Sequence, residues 1–300
     1  MSPNPTGPYR AHEQFIAPAR DGAPWRVIPG IVLICALYLS LLWFLQAALA
    51  TLLPPPVFEA FRSEVQTGET AIGALYLLFS FGLMAVAVML VTVQMHRRSP
   101  LGLFGPLRQM VSQGGAVLVM LIGLTAAIWI LPPSEFPSPL PAARPFASWA
   151  VWLPLAIPAL LIQTTTEELV FRGYLQQHLA AHFRHPVLWI GLPALLFGLL
   201  HYRPEAGENA WMLVLWAAAF SLIAADLTAR AGTLGPAIAL HFASNAVAIL
   251  LVSQDPALSG LALIAAPVDL ADPAVVRPAL LLDVAVLLLG WLTARLVLRR

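Results

Sequence analysis

Eight apolar stretches separated by short polar connections leave this chain few architectures. They cover approximately residues 27–53, 71–95, 116–131, 149–166, 187–201, 210–229, 234–252 and 279–298. A helix crosses the hydrocarbon core of a bilayer with about 20 mainly apolar residues. Only helices and closed barrels satisfy their backbone groups there. Hydrophobic residues make up 59% of the 300 and charged residues only 10%, which excludes an ordinary soluble domain. The pattern predicts an all-α, polytopic membrane bundle of about eight transmembrane helices.

Residues 1–26 are polar and proline-rich, with no apolar segment ahead of the first long run. They read as a disordered cytoplasmic tail and not as a signal peptide. Residues 27–300 read as one membrane domain, with proline-marked loops at 54–56, 132–145 and 255–278. A formal net charge of +1 gives no basic surface for nucleic acid. The one cysteine, Cys35, excludes an intrachain disulfide and a cysteine-rich metal site.

Arginine alternates between connections. Arg10, Arg20, Arg26, Arg97, Arg98, Arg108, Arg184, Arg230, Arg295, Arg299 and Arg300 fall on one side, whereas the other side holds mainly Glu and Asp. This alternation predicts that both termini are cytoplasmic. The Ala-, Leu-, Pro- and Arg-rich composition suits a bacterial inner membrane.

Within the apolar runs, three polar groups call for an explanation, because ionisable residues at membrane depth are functional candidates by default. Glu167 and Glu168 adjoin each other, and Arg172 follows Glu168 by four positions. That spacing puts Glu168 and Arg172 on one helix face as an ion pair and turns Glu167 about 100° away. The competing reading is a helix end solvated at the interface. His201 lies at the end of the fifth run, where an interfacial role competes. His241 and Asn245 share a face of the seventh run, where the competing role is a hydrogen bond between helices.

Counted from a turn at residues 184–186, Glu167 and His201 lie ~27 Å and ~24 Å along antiparallel helices. His241 reaches their level if the 166–200 hairpin projects into the cytosol, which suits Gln176, Gln177, His178 and His182. A carboxylate, two imidazoles and a carboxamide then share a cavity opening inward. Such a set can activate water and bind an oxyanion. No hydroxyl or thiol nucleophile stands convincingly beside it, and no H-E-x-x-H, G-x-S-x-G or phosphate-binding loop occurs. Asp226 and Asp283 read as interfacial.

Glu167-Glu168-x-x-x-Arg172, Phe197-x-x-x-His201 and His241-x-x-x-Asn245 resemble the three-motif signature of the type II CAAX prenyl endopeptidase and bacteriocin-processing superfamily. That superfamily includes Ras-converting endopeptidases, abortive-infection proteins and lysostaphin-resistance-A-like proteins. The likeness covers about residues 164–245, within a catalytic core at about 149–253. It implies an intramembrane endopeptidase with Glu167 as general base, assisted by His201. It further implies His241 and Asn245 as oxyanion ligands, with Glu168 and Arg172 bracing the site.

The superfamily has been described both as zinc metalloproteases and as metal-independent glutamate proteases. We expect no metal, with zinc held by Glu167, His201 and His241 as the alternative. The expected partners are a membrane-anchored peptide or protein, met near the cytoplasmic face, and the lipid bilayer. A proton-coupled transporter would also bury Glu and His, but no repeat symmetry supports one. A catalytically silent scaffold is the remaining alternative.

Overall fold

The computed structural model describes residues 7–130 and 144–299. Each apolar run forms a helix: α2 (Val27–Leu52), α4 (Ala71–His96), α5 (Leu107–Ile130), α7 (Leu153–Glu168), α9 (Leu192–Leu199), α10 (Ala210–Ala231), α11 (Gly235–Asn245) and α12 (Pro273–Leu298). Five helices, Pro24–Leu52, Ala71–His96, Pro100–Ile130, Pro204–Ala231 and Pro273–Leu298, are long and apolar enough to cross a membrane. Val187–Leu199 and Gly235–Leu251 are shorter apolar helices. The protein is an all-α helical membrane bundle. Among the described residues the only strands are β1 (Val252–Ser253) and β2 (Ile264–Ala265), a two-residue parallel pair.

Three helices turn wide for part of their length. Leu169–Gln176 carries α7 as a π-helical stretch into α8 (Gln177–His182), Val187–Gly191 leads into α9, and Ala246–Leu251 follows α11. Such turns shift the phase of the side chains after them and gather at functional sites. Here one follows Glu168 directly and another follows Asn245.

Small residues let neighbouring helices approach closely. Gly235 lies so close to α5 that a Cβ would sit 2.1 Å from the Met110 carbonyl oxygen, and Gly198 so close to α10 that one would sit 2.6 Å from Val214 O. Close backbone approach is the usual basis of helix packing where lipid removes the hydrophobic drive.

Two connections are more ordered than the sequence suggested. The expected disordered tail is ordered from residue 7 onward: α1 (Arg10–Ile16) and two short turns lie over α8 and the end of α10. Its Phe15 and Ile16 are buried in a cluster with Ile34, Val91, Leu103 and Tyr174. Tyr9 donates to Asp226 at 2.7 Å, and Gly232, at φ +71, leaves no room for a side chain against Ala11. Two apolar residues and specific polar contacts thus offset the ordering entropy of a segment whose composition looks disordered.

The loop expected at residues 54–56 begins α3 (Pro55–Thr67), where proline fits the first turn. Proline likewise opens α12 six residues before the end of the expected 255–278 loop. Most of the expected 132–145 loop lies outside the described residues. A short helix α6 (Phe146–Ala150) follows it, with Trp149 Nε1 donating to Leu250 O at 2.8 Å.

Candidate active site

Helix α7 supplies the first part of the site. Gln163 and Glu167, four apart, share one face, and the Gln163 amide donates to Glu167 Oε1 at 2.7 Å. Glu168, one position on, turns into the bundle and is 0% exposed. Its Oε1 accepts from Arg172 Nη1 at 2.8 Å, the expected i,i+4 pair. Arg172 Nη2 in turn donates to the hydroxyl and carbonyl of Ser221 on α10, at 2.9 and 3.0 Å. The guanidinium also sits 5.3 Å over the Phe197 ring. A buried ion pair holds only with such supplementary contacts.

Helix α11 contributes His241 and Asn245. His241 Nδ1 donates to Glu168 Oε1 at 2.8 Å, and its Nε2 stands 3.5 Å from Glu167 Oε2. One imidazole therefore lies between the two adjacent carboxylates. Asn245 Nδ2 donates to Gln163 Oε1 at 3.1 Å, so Asn245, Gln163 and Glu167 form a chain across the α7–α11 interface. His201 lies in the turn just after α9, and its Nδ1 donates to the Phe197 carbonyl at 2.9 Å, leaving Nε2 as the acceptor. Phe220 packs edge-on to His241, with centroids 4.9 Å apart.

Glu167, His201, His241 and Asn245 all line one cavity of about 320 Å³. The four groups expected to meet do meet. Two details differ from the expected arrangement. Glu168 orients His241 as well as holding Arg172, and the imidazole nearest Glu167 is that of His241. Gln163 and Ser221 are additions that the motif reading missed. Gln163 had a visible signal, a polar side chain one helical turn before Glu167 on the same face. Ser221 had none, being an ordinary residue of another helix.

The cavity is closed by packed polar side chains in one direction. Towards the termini, the space between α7 and the end of the bundle is filled by Arg172, Tyr174, Gln176, Gln177 and His178, each at most 1% exposed. The Gln177 amide donates to Phe15 O and Gly102 O, and His182 Nε2 to Gly22 O. The hairpin expected to project into solvent is instead covered by α1, because its polar groups find backbone acceptors there. In the other direction the walls include Leu77 and Leu78 near the start of α4, Ile249, and Leu258 in the connection after β1.

A second cavity of about 270 Å³ shares His201 and Trp216 with the first. It runs past Val252, Leu270 and Ala279 to Arg203 and Asp255, which form an ion pair at 2.5 Å. Asp283, read from sequence as interfacial, lies ten residues into α12 and lines this second cavity. Asp226 lies apart from both, bonded to Tyr9, Arg230 and Trp291.

A bound zinc needs three or four ligands converging at about 2.0–2.3 Å. Among the described residues no three His, Cys, Asp or Glu side chains are so arranged. His241 Nε2 faces Glu167 while Nδ1 is held by Glu168.

Residues 148–247 match the model of a protein family described as type II CAAX prenyl endopeptidase Rce1-like. This segment is similar to that family. It contains all seven motif residues and Gln163, and it is the part of the chain where the cavity walls of α7, α9, α10 and α11 reside. The uncharacterized protein YyaK of Bacillus subtilis (strain 168) is 28% identical over 116 residues, 38% of this chain. The alignment spans 39% of that relative's length. No solved structure matches. The family is one of CAAX-type intramembrane proteases, and the long apolar helices agree with a protein integral to a lipid bilayer.

Proposed function

We propose that the protein is an intramembrane endopeptidase that hydrolyses a peptide bond of a membrane-anchored peptide or protein. The observation that carries this reading is the meeting of Glu167, His241, Asn245 and His201, from three separate helices, at one cavity. Glu167 is the general base. It takes a proton from water while the resulting hydroxide adds to the amide carbonyl. The Gln163 amide on Oε1 fixes the carboxylate and leaves Oε2 for the water.

The tetrahedral oxyanion is held by the second N–H of Asn245 and by His241 Nε2–H. In that role His241 carries both ring protons, one of them held by Glu168. His201, with Nε2 as an acceptor, assists Glu167 in handling the water proton. That proton then passes to the leaving nitrogen, the C–N bond breaks, and an acid and an amine leave. Glu168, Arg172 and Ser221 position His241 and do not touch the substrate.

The reaction proposed needs no metal, because the side chains themselves supply both the base and the oxyanion ligands. We further take both termini to be cytoplasmic and the membrane to be the bacterial inner membrane, from the arginine distribution and composition.

The test compares purified wild type with Glu167→Gln on a library of membrane-tethered peptides, with products read by mass spectrometry. Release by wild type alone, persisting after strong chelation, is the expected result. Equal cleavage by both proteins removes Glu167 from the reaction, and loss of cleavage on chelation restores the zinc alternative. Uptake of a solute driven by a pH gradient, with no peptide release, would favour a transporter.

A further inference from the structure

Asp283 is a carboxylate that the reaction above does not use. It stands within α12, one of the helices long and apolar enough to cross a membrane, ~15 Å along the axis from Pro273. A charge among such neighbours is costly unless it has a partner or a task. Among the described residues Asp283 has neither a hydrogen-bond nor an ion-pair partner. The arginines that could serve are committed elsewhere. Arg203, in the same cavity, pairs with Asp255 at 2.5 Å, and Arg277, on the same helix, reaches Glu208 and Asn209.

Asp283 borders the second cavity. Val276, Ala279, Leu280 and Asp283 recur at three- and four-residue intervals, so one face of α12 carries apolar side chains and then the carboxylate. Val252 of β1 and Leu270 of the connection before α12 extend the apolar lining. With Arg203 offset by Asp255, one negative charge in this space has no counter-charge. Lysine and arginine lay their stems along apolar surface and keep the charged head for a polar partner. Such a side chain matches both the walls and the charge.

His201 and Trp216 line this cavity and also the one that holds Glu167. Trp216 adds an independent sign of a ligand, because its Nε1 is buried with no acceptor among the described residues. A buried donor left unpaired is destabilising. A peptide lying across the two cavities would bring a backbone carbonyl to it.

We propose that the second cavity is a specificity pocket for a lysine or arginine side chain close to the scissile bond, with Asp283 as its counter-charge and Trp216 Nε1 donating to the substrate backbone. This deepens the endopeptidase reading and rests on it.

The experiment uses the full chain in detergent and anchored peptides that differ at one residue, lysine, norleucine or glutamate, placed in turn at each position flanking the cleaved bond. At one position wild type is expected to prefer lysine to norleucine by about tenfold in kcat/KM, chiefly through KM, with glutamate poorest. Asp283→Asn should bring lysine and norleucine level, and Asp283→Glu should keep the lysine preference. Asp283→Ala repeats the comparison if the asparagine variant does not fold. Equal use of lysine and norleucine by wild type at every position, or a lysine preference that survives Asp283→Asn, overturns the pocket and leaves the endopeptidase intact.

Binding separates the two readings. The same peptides are titrated onto the Glu167→Gln variant, where cleavage does not interfere with the Kd. Tighter binding of the lysine peptide, lost when Asp283→Asn is added, supports the pocket. If wild type nonetheless releases no product, the pocket stands and the result counts against the endopeptidase. A Kd that ignores the lysine overturns the pocket.

Discussion

On one side of Glu167, polar side chains border open space; on the other, they border each other. The open side has His201, Asn245 and the Glu167 carboxylate, the last with 17% of its side chain exposed. The closed side has Glu168 and Arg172 at 0% and 1%, followed by a layer of buried Gln, His and Tyr under α1. The same α7 rod runs through both halves. Adjacent glutamates thus take opposite roles: one is available to water, and the other is committed to holding an imidazole in place.

That contrast can be broken most sharply at Glu167. Glu167→Gln keeps the Gln163 contact and the cavity volume but removes the base. We expect turnover to fall by about 10³-fold or more while the melting temperature stays near that of wild type. A large loss of stability would show that Glu167 belongs with the closed half. Asn245→Ala removes an oxyanion donor and should lower turnover by about 10²-fold, with KM little changed.

The closed half should respond the other way. Arg172→Leu leaves the Glu168 carboxylate buried without its cation, a loss of about 3–5 kcal/mol measured by unfolding in detergent. Replacing both, as Glu168→Leu with Arg172→Met, should recover much of that stability. Activity should not return, because His241 loses its Nδ1 partner. Recovery of activity in the double variant would reduce Glu168 to a structural counter-charge.

A smaller effect concerns the amino-terminal cover. Burial lowers the His12 imidazole from 6.5 to about 4, and the ring stacks on Phe15 and lies tilted against Trp189. The undocked segment therefore binds a proton that the docked one does not, between pH 6.5 and about 4. Docking is unaffected above that window and weakens as pH falls through it. Protection of the amides in residues 10–26 against hydrogen exchange, relative to the intrinsic rate at each pH, should fall from pH 7.5 to pH 5, and His12→Phe should abolish the difference. The smallest expected effect is at the second cavity, where Ala279→Leu should raise KM a few-fold and leave kcat unchanged.

The open half was the more legible in sequence. Hydropathy located the core of each long apolar helix, and spacing alone paired Glu168 with Arg172 and His241 with Asn245 on shared faces. What sequence withheld depends on contacts between distant segments. Nothing in the composition of residues 7–26 says that Phe15 and Ile16 will find a pocket formed by α2, α4 and the π-helical stretch. Nor does spacing say that His241 will span both carboxylates, since that depends on how α11 is rotated against α7. The expected projection of the hairpin into solvent was misread for the same reason. Gln176, Gln177 and His178 look solvent-seeking until α1 and α10 are laid beside them, when their donors find the carbonyls of Phe15 and Ala225.

The central claim is that carboxylate and imidazole from different helices act on one water as a single unit. A double-mutant comparison tests it most directly, with kcat/KM measured for wild type, Glu167→Gln, His241→Asn and the two together on one anchored peptide. Groups that act as a unit are strongly non-additive, so the double variant should be no slower than the slower single one. Losses that simply multiply, or a single variant close to wild type, would contradict the account.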